Sequence, residues 1–187
     1  MKINNIIFKE YALLNDDDKE LYDYLIKFDA NFTKPIDFFD IGKLKDFSFE
    51  LIKDFQNDYN SGLNWSQLIS YMAKFANVSN DKIVNTRIMY VCQFKSYIIS
   101  EIELINKIEL IELGHERTEV EAAAGIDMFN VFGFYSQFRE LANNDITKIT
   151  EIAKLKYSDC FIELLYRKRL NDFEREMNRI NKNKHNG

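Results

Sequence analysis

One proline, Pro35, and six glycines are all the strong backbone punctuation in a chain of 187 residues, and this scarcity limits the fold more than any other feature. A sandwich or barrel needs turn signals about every 8 to 12 residues. Here long stretches run without a breaker while apolar residues recur three and four apart, the helical period. Sixteen Phe and ten Tyr supply large core side chains. A hydrophobic share of 46% beside 29% charge is that of an ordinary folded chain, and this length buries a core of its own. The expected fold is mainly α.

The punctuation that exists divides the chain into an extended N-terminal arm over 1–14, a single helical domain over 15–180 and a polar tail over 181–187. The arm holds a short strand at Ile3 to Phe8. Asp16, Asp17 and Asp18 open a helix, with Asp17 and Glu20 as a capping box and Leu21, Leu25 and Phe28 on its buried side. Pro35 to Lys45 is a break. A second helix follows Asp46 with Phe47, Leu51, Phe55 and Tyr59 as its stripe. Asn64 caps a third, with Gln67 as reciprocal partner and Trp65, Leu68, Met72, Phe75 and Ala76 as its apolar face. Trp65 reads as a core plug ahead of a recognition platform.

Asp81 to Leu113 is the longest periodic run and predicts a helix on the order of 50 Å at about 1.5 Å per residue. Over 107–122 a small β-hairpin with Gly114 in its turn competes with continued helix. Phe129, Phe132, Phe134, Tyr135, Phe138 and Leu141 form an aromatic helix interrupted by Gly133, read as a site of close packing. Asp145 caps a short helix through Leu155, and Ser158 begins a long amphipathic one. On that last helix Tyr166, Leu170, Phe173, Met177 and Ile180 alternate in spacings of four and three, which puts all five on one stripe. The flanks are charged by Arg167, Lys168, Arg169, Asp172, Glu174, Arg175, Glu176 and Arg179. Large apolar groups reach almost to the helix end, so the stripe is the candidate protein interface.

Catalytic constellations are not found. Glu112-x-x-His115 has the spacing of one half of a dimetal bundle site, but a second motif is missing. Glu109, Glu112, Glu116 and Glu119 would share a face if the helix ran on, as in magnesium-dependent helical nucleotide hydrolases; Gly114 interrupts them, and a solvated acidic face accounts for the same residues. The histidines His115 and His185 do not build a nucleophile–base pair, and no phosphate-binding glycine loop occurs. The expectation is a non-enzyme without cofactor, metal or small-molecule substrate. Cys92 and Cys160 lack CxxC spacing and read as free buried thiols of a reducing compartment.

Charge is uneven: residues 1–60 hold 8 Lys against 13 Asp and Glu, while 156–187 hold 8 Lys and Arg against 5 acids. An acidic front and a basic tail fit contacts with neighbouring copies. The basic residues are interleaved with acids and lack an aromatic or glycine-rich companion motif, which argues against nucleic acid. Neither a signal peptide nor a membrane-spanning apolar run of about 18 residues is read.

Trp65-Ser66-Gln67-Leu68, then Gly125-Ile126-Asp127-Met128-Phe129, then Leu141-Ala142-Asn143-Asn144-Asp145-Ile146-Thr147-Lys148-Ile149, then Leu164-Leu165-Tyr166 and Glu174, make an order that resembles small helical proteins from the structural modules of tailed bacteriophages, both tail-assembly chaperones and neck or tail ring proteins. The resemblance covers the layout of most of the chain. It implies a virion structural or assembly role without catalytic residues, partners that are other copies and other virion proteins, and assembly in the host bacterial cytoplasm. A transient chaperone absent from the mature particle and a small metal-dependent nucleotide hydrolase are the competing expectations.

Overall fold

The computed structural model describes residues 6–16, 19, 41–114 and 118–185. The expected capping box of Asp17 and Glu20, the face of Leu21, Leu25 and Phe28, and the break at Pro35 lie outside them. The fold is mainly α. Among the described residues the α-helices are α1 (Phe8–Ala12), α2 (Phe49–Gly62), α3 (Trp65–Ala76), α4 (Asn80–Val84), α5 (Ile88–Leu113), α6 (Glu119–Ala123), α7 (Tyr135–Leu141), α8 (Ile149–Lys154) and α9 (Tyr157–His185). Short 3₁₀ turns cover Leu44–Asp46, Ile126–Phe132 and Ile146–Lys148.

The chain forms two compact units, one of residues 1–44 with 54–104, the other of 45–53 with 105–187. In the first unit the Phe55 ring lies 4.8 Å from the Tyr71 ring and 5.5 Å from that of Phe75, and Met72, Val91, Phe94, Ile98 and Ile102 are buried. Asn64 caps α3 and exchanges hydrogen bonds with Gln67 as expected. Asn77, left-handed at φ 51°, ends the helix, and the N–H of Val78 donates back to the Ala73 carbonyl at 2.9 Å. Trp65 is no core plug: 38% exposed, it lies between the Phe8 ring at 5.0 Å and the Lys95 ammonium at 4.6 Å.

The structure corrects further expectations and decides between the two readings of 107–122. The N-terminal arm is not a strand in its described part: Ile7 makes one isolated bridge to Arg87, then Glu10 accepts from the Ile7 N–H and the chain turns into α1. The run from Asp81 is two helices. Asn85 and Thr86 donate side-chain hydrogen bonds to the Asp81 and Lys82 carbonyls, the local competition by which short polar residues break a helix. The 107–122 hairpin is replaced by helix through Leu113 and a Thr118–Glu121 capping box opening α6. Gly114 ends α5, where a Cβ would stand 2.2 Å from the Leu110 carbonyl oxygen. On α2 the buried set is Phe49, Ile52, Lys53, Phe55 and Gln56, with Leu51 and Tyr59 half-buried. Residues spaced four apart drift about 40° per step at 3.6 residues per turn, so the 47–51–55–59 series wanders off one face.

In the second unit the chain before α2 pairs with the chain before α9. Phe49 N–H donates to the Leu155 carbonyl at 2.7 Å and Tyr157 N–H to the Phe47 carbonyl at 2.8 Å, around a Ser48–Lys156 bridge. Asn143 and Asn144, both at positive φ, turn the chain from α7 to Asp145, which accepts from the Thr147 N–H and so caps the next turn. Gly133 separates the Ile126–Phe132 turn from α7, and its role is conformational rather than close packing: a Cβ would meet nothing within 4 Å, but φ 49°, ψ −129° is a conformation that suits glycine alone. Replacing Gly133 with Ala is expected to cost about 1 to 3 kcal/mol, read as a lowered midpoint in chemical denaturation with the helical far-ultraviolet spectrum retained. An unchanged midpoint would refute this account.

Candidate functional site

The second unit is organised around a buried lysine. Lys53, on the first turns of α2, has a side chain only 1% exposed. Its ammonium donates to Glu109 Oε1 at 2.6 Å and Oε2 at 2.8 Å, and the Tyr157 hydroxyl donates to the same Oε1 at 2.5 Å. The rings of Phe134, Phe49 and Tyr157 stand 4.5, 5.4 and 5.7 Å from the ammonium, the distance range of cation–π attraction. Burial lowers the Lys53 pKa, while attraction and hydrogen bonding from Glu109 oppose that shift. Burial beside the Glu109 carboxylate pushes the Tyr157 hydroxyl well above its ordinary range. A single carboxylate on α5 thus ties α2 to the first residue of α9. The ammonium is enclosed by rings and committed to Glu109, so the arrangement is a structural tie and not an exposed nucleophile.

That tie fixes the start of α9 and the direction of each of its faces. Tyr157, Cys160 and Leu164 are its buried residues and lie on one side. At about 100° per residue, the stripe of Tyr166, Leu170, Phe173, Met177 and Ile180 is centred about 160° round the helix from them. All five expected interface residues are exposed, by 63, 41, 61, 43 and 39% in that order. From 169 to 182 every residue of α9 is exposed.

The four-glutamate face does not assemble. Glu109 is held by Lys53 and Tyr157, Glu112 accepts from Arg169 Nη2 at 2.7 Å, Glu119 sits on α6 beyond the end of α5, and Glu116 and His115 lie outside the described residues. Among the described residues no three His, Cys, Asp or Glu side chains stand together as a metal site, and no helix is long and apolar enough to cross a membrane. Cys92 is half-buried and Cys160 buried, and neither forms a disulfide. Burial pushes the Cys160 thiol up to about 11, which leaves it protonated and unreactive at neutral pH.

Sequence reasoning missed a second exposed apolar segment. Met128, Phe129, Val131 and Phe132 on the 3₁₀ turn all point largely to solvent, and Phe129 and Phe132 wall a 410 Å³ groove with Tyr135 and Arg139. The flanking Gly125 and Gly133, both at positive φ, were the available signal that these aromatics do not belong to a core-facing helix. With the geometry known, comparison adds no identity: no family model, curated protein or solved structure matches the chain.

Two outcomes follow from the buried tie. Lys53→Met alone strands Glu109 and should lower stability by about 3 to 5 kcal/mol, whereas Lys53→Met with Glu109→Leu should recover most of the loss; denaturant titration of both variants checks this. Tyr157, raised in the folded state above its ordinary 10.0, contributes stability fully present below pH 10 and lost as the pH climbs above it. Lys53, lowered below 10.5, acts in the opposite sense and its gain is complete near that pH. The melting temperature should therefore fall as the pH rises above about 10, and Tyr157→Phe should flatten the fall.

Proposed function

We propose that this chain is a non-enzymatic assembly protein acting through protein–protein contacts, a structural component of the neck or tail ring of a tailed bacteriophage particle. One observation carries the reading of assembly: the buried residues of α9 end at Leu164, and from 169 to 182 the helix is exposed all round while Leu170, Phe173, Met177 and Ile180 continue one apolar stripe with the exposed Tyr166. Contiguous exposed apolar stripes of this kind are characteristic of interaction sites, and the charged flanks keep such a stripe soluble and selective until a partner covers it. The phage setting is supported by the resemblance of the chain's layout to virion structural-module proteins.

The competing hydrolase reading loses its main support, because Glu109 and Glu112 are each committed to a cation of this chain.

Replacing Phe173 and Met177 with Ser should abolish association while the melting temperature stays nearly unchanged, since surface substitutions usually shift stability by no more than about 0.5 kcal/mol. Unfolding of the variant, at about 2 to 5 kcal/mol per large-to-small core substitution, would show that the stripe serves the core instead. Mass spectrometry of purified particles tests the setting: presence supports a structural component, and absence from particles in cells that make the protein favours the transient chaperone.

A further inference from the structure

We propose that the occupant of the α9 stripe is the same stripe of a second copy, packed antiparallel in one register; this rests on the reading of α9 as an interface. The apolar spacing fixes the heptad. Leu170 and Met177 take the a positions and Tyr166, Phe173 and Ile180 the d positions. The flanking e positions are then Arg167 and Glu174, and the flanking g positions Arg169 and Glu176. Each flank changes sign once, from basic in the first heptad to acidic in the second.

That pattern selects among pairings. In an antiparallel pair a faces d of the partner, e faces e and g faces g. Placing Leu170 against the partner's Phe173, and Tyr166 against the partner's Met177, sets Arg167 opposite the partner's Glu174 and Arg169 opposite the partner's Glu176. Two-fold symmetry repeats both, so every charged flank position finds an opposite charge. Sliding one helix by a heptad, so that Phe173 meets the partner's Met177, instead sets Glu174 against Glu174 and Glu176 against Glu176. A parallel pair matches g with the e position five residues on, so Arg169 meets Glu174 while Arg167 and Glu176 find no opposite charge. Only the first arrangement satisfies both flanks.

Existing contacts leave room for it. Arg167 donates from Nε to Glu163 and from Nη1 to the Glu140 carbonyl; Arg169 donates from Nη2 to Glu112. Each guanidinium has further donors. Glu176 is bonded to Arg179 three residues away, an exposed local pair of the kind that exchanges readily.

Charge exchange tests both partner and register on the full chain by sedimentation velocity over a concentration series. The wild type should dimerise, and Arg169→Glu or Glu176→Lys alone should each weaken dimerisation roughly tenfold or more, because each brings two like-charge contacts. An equimolar mixture of Arg169→Glu with Glu176→Lys should restore association, since each altered flank meets its opposite, and circular dichroism should show all chains equally folded. Restoration by Arg169→Glu with Glu174→Lys instead would mean a parallel pair and overturn the register. A wild type that stays monomeric at its highest soluble concentration would overturn self-pairing. If the wild type dimerises and the Phe173→Ser, Met177→Ser variant does not, yet neither mixture restores pairing, the stripe is an interface and the proposed pairing is wrong. If that variant dimerises as the wild type does, the interface reading itself fails.

Discussion

The tie between Lys53, Glu109 and Tyr157 is the interaction on which the second unit depends, because it joins three helices at one carboxylate. Each partner is needed by the others. The ammonium is nearly sealed from water and tolerable there only with both Glu109 oxygens and the ring faces around it. The phenol adds a third contact to the same carboxylate, and its ring stacks on Phe49 at 6.1 Å. Apolar packing of the same volume would hold the helices together about as strongly. What the ionic tie adds is position: Glu109 accepts only where Lys53 and Tyr157 converge, so α9 starts at a defined rotation about its own axis.

That rotation decides which apolar residues of α9 are buried. Tyr157, Cys160 and Leu164 face the unit because the backbone pairing at Ser48–Lys156 and the phenol contact both act on the first residue of the helix. The stripe that begins at Tyr166 follows from helical geometry on the other side. Rotation accounts for the exposure of Tyr166; from 169 to 182 every residue of the helix is exposed on whichever face it lies.

Local signals were the most legible part of the sequence. The Asn64–Gln67 box, the Asp145 cap, the start of the last helix and the α9 stripe were all readable, since each depends on residues within a few positions of one another. Lys53 was not. It stands in an ordinary amphipathic helix, its partners are 56 and 104 positions away in the chain, and nothing local marks a lysine as buried. The choice between helix and hairpin over 107–122 stayed open because Ile and Leu runs do not distinguish strand from helix, and Gly114 fits a helix end as well as a turn; helix is what forms through Leu113. Gly133 was recognised as special but for the wrong reason: close packing and a glycine-only backbone conformation leave the same mark in a sequence.

The arrangement also keeps the anchor apart from the exposed stripe. Anchoring uses a neutralised buried charge and aromatic rings, which are intolerant of change and invisible from outside. The exposed stripe uses apolar side chains with charged flanks, where a substitution leaves the anchor untouched. Because the anchor sits at Tyr157 and the stripe lies between Tyr166 and Ile180, the two are joined only through the regular turns of one helix. Helical register alone then carries orientation from the anchored end to the stripe, so a residue inserted or deleted at Leu165 would rotate the stripe by about 100° without removing a single contact of the tie.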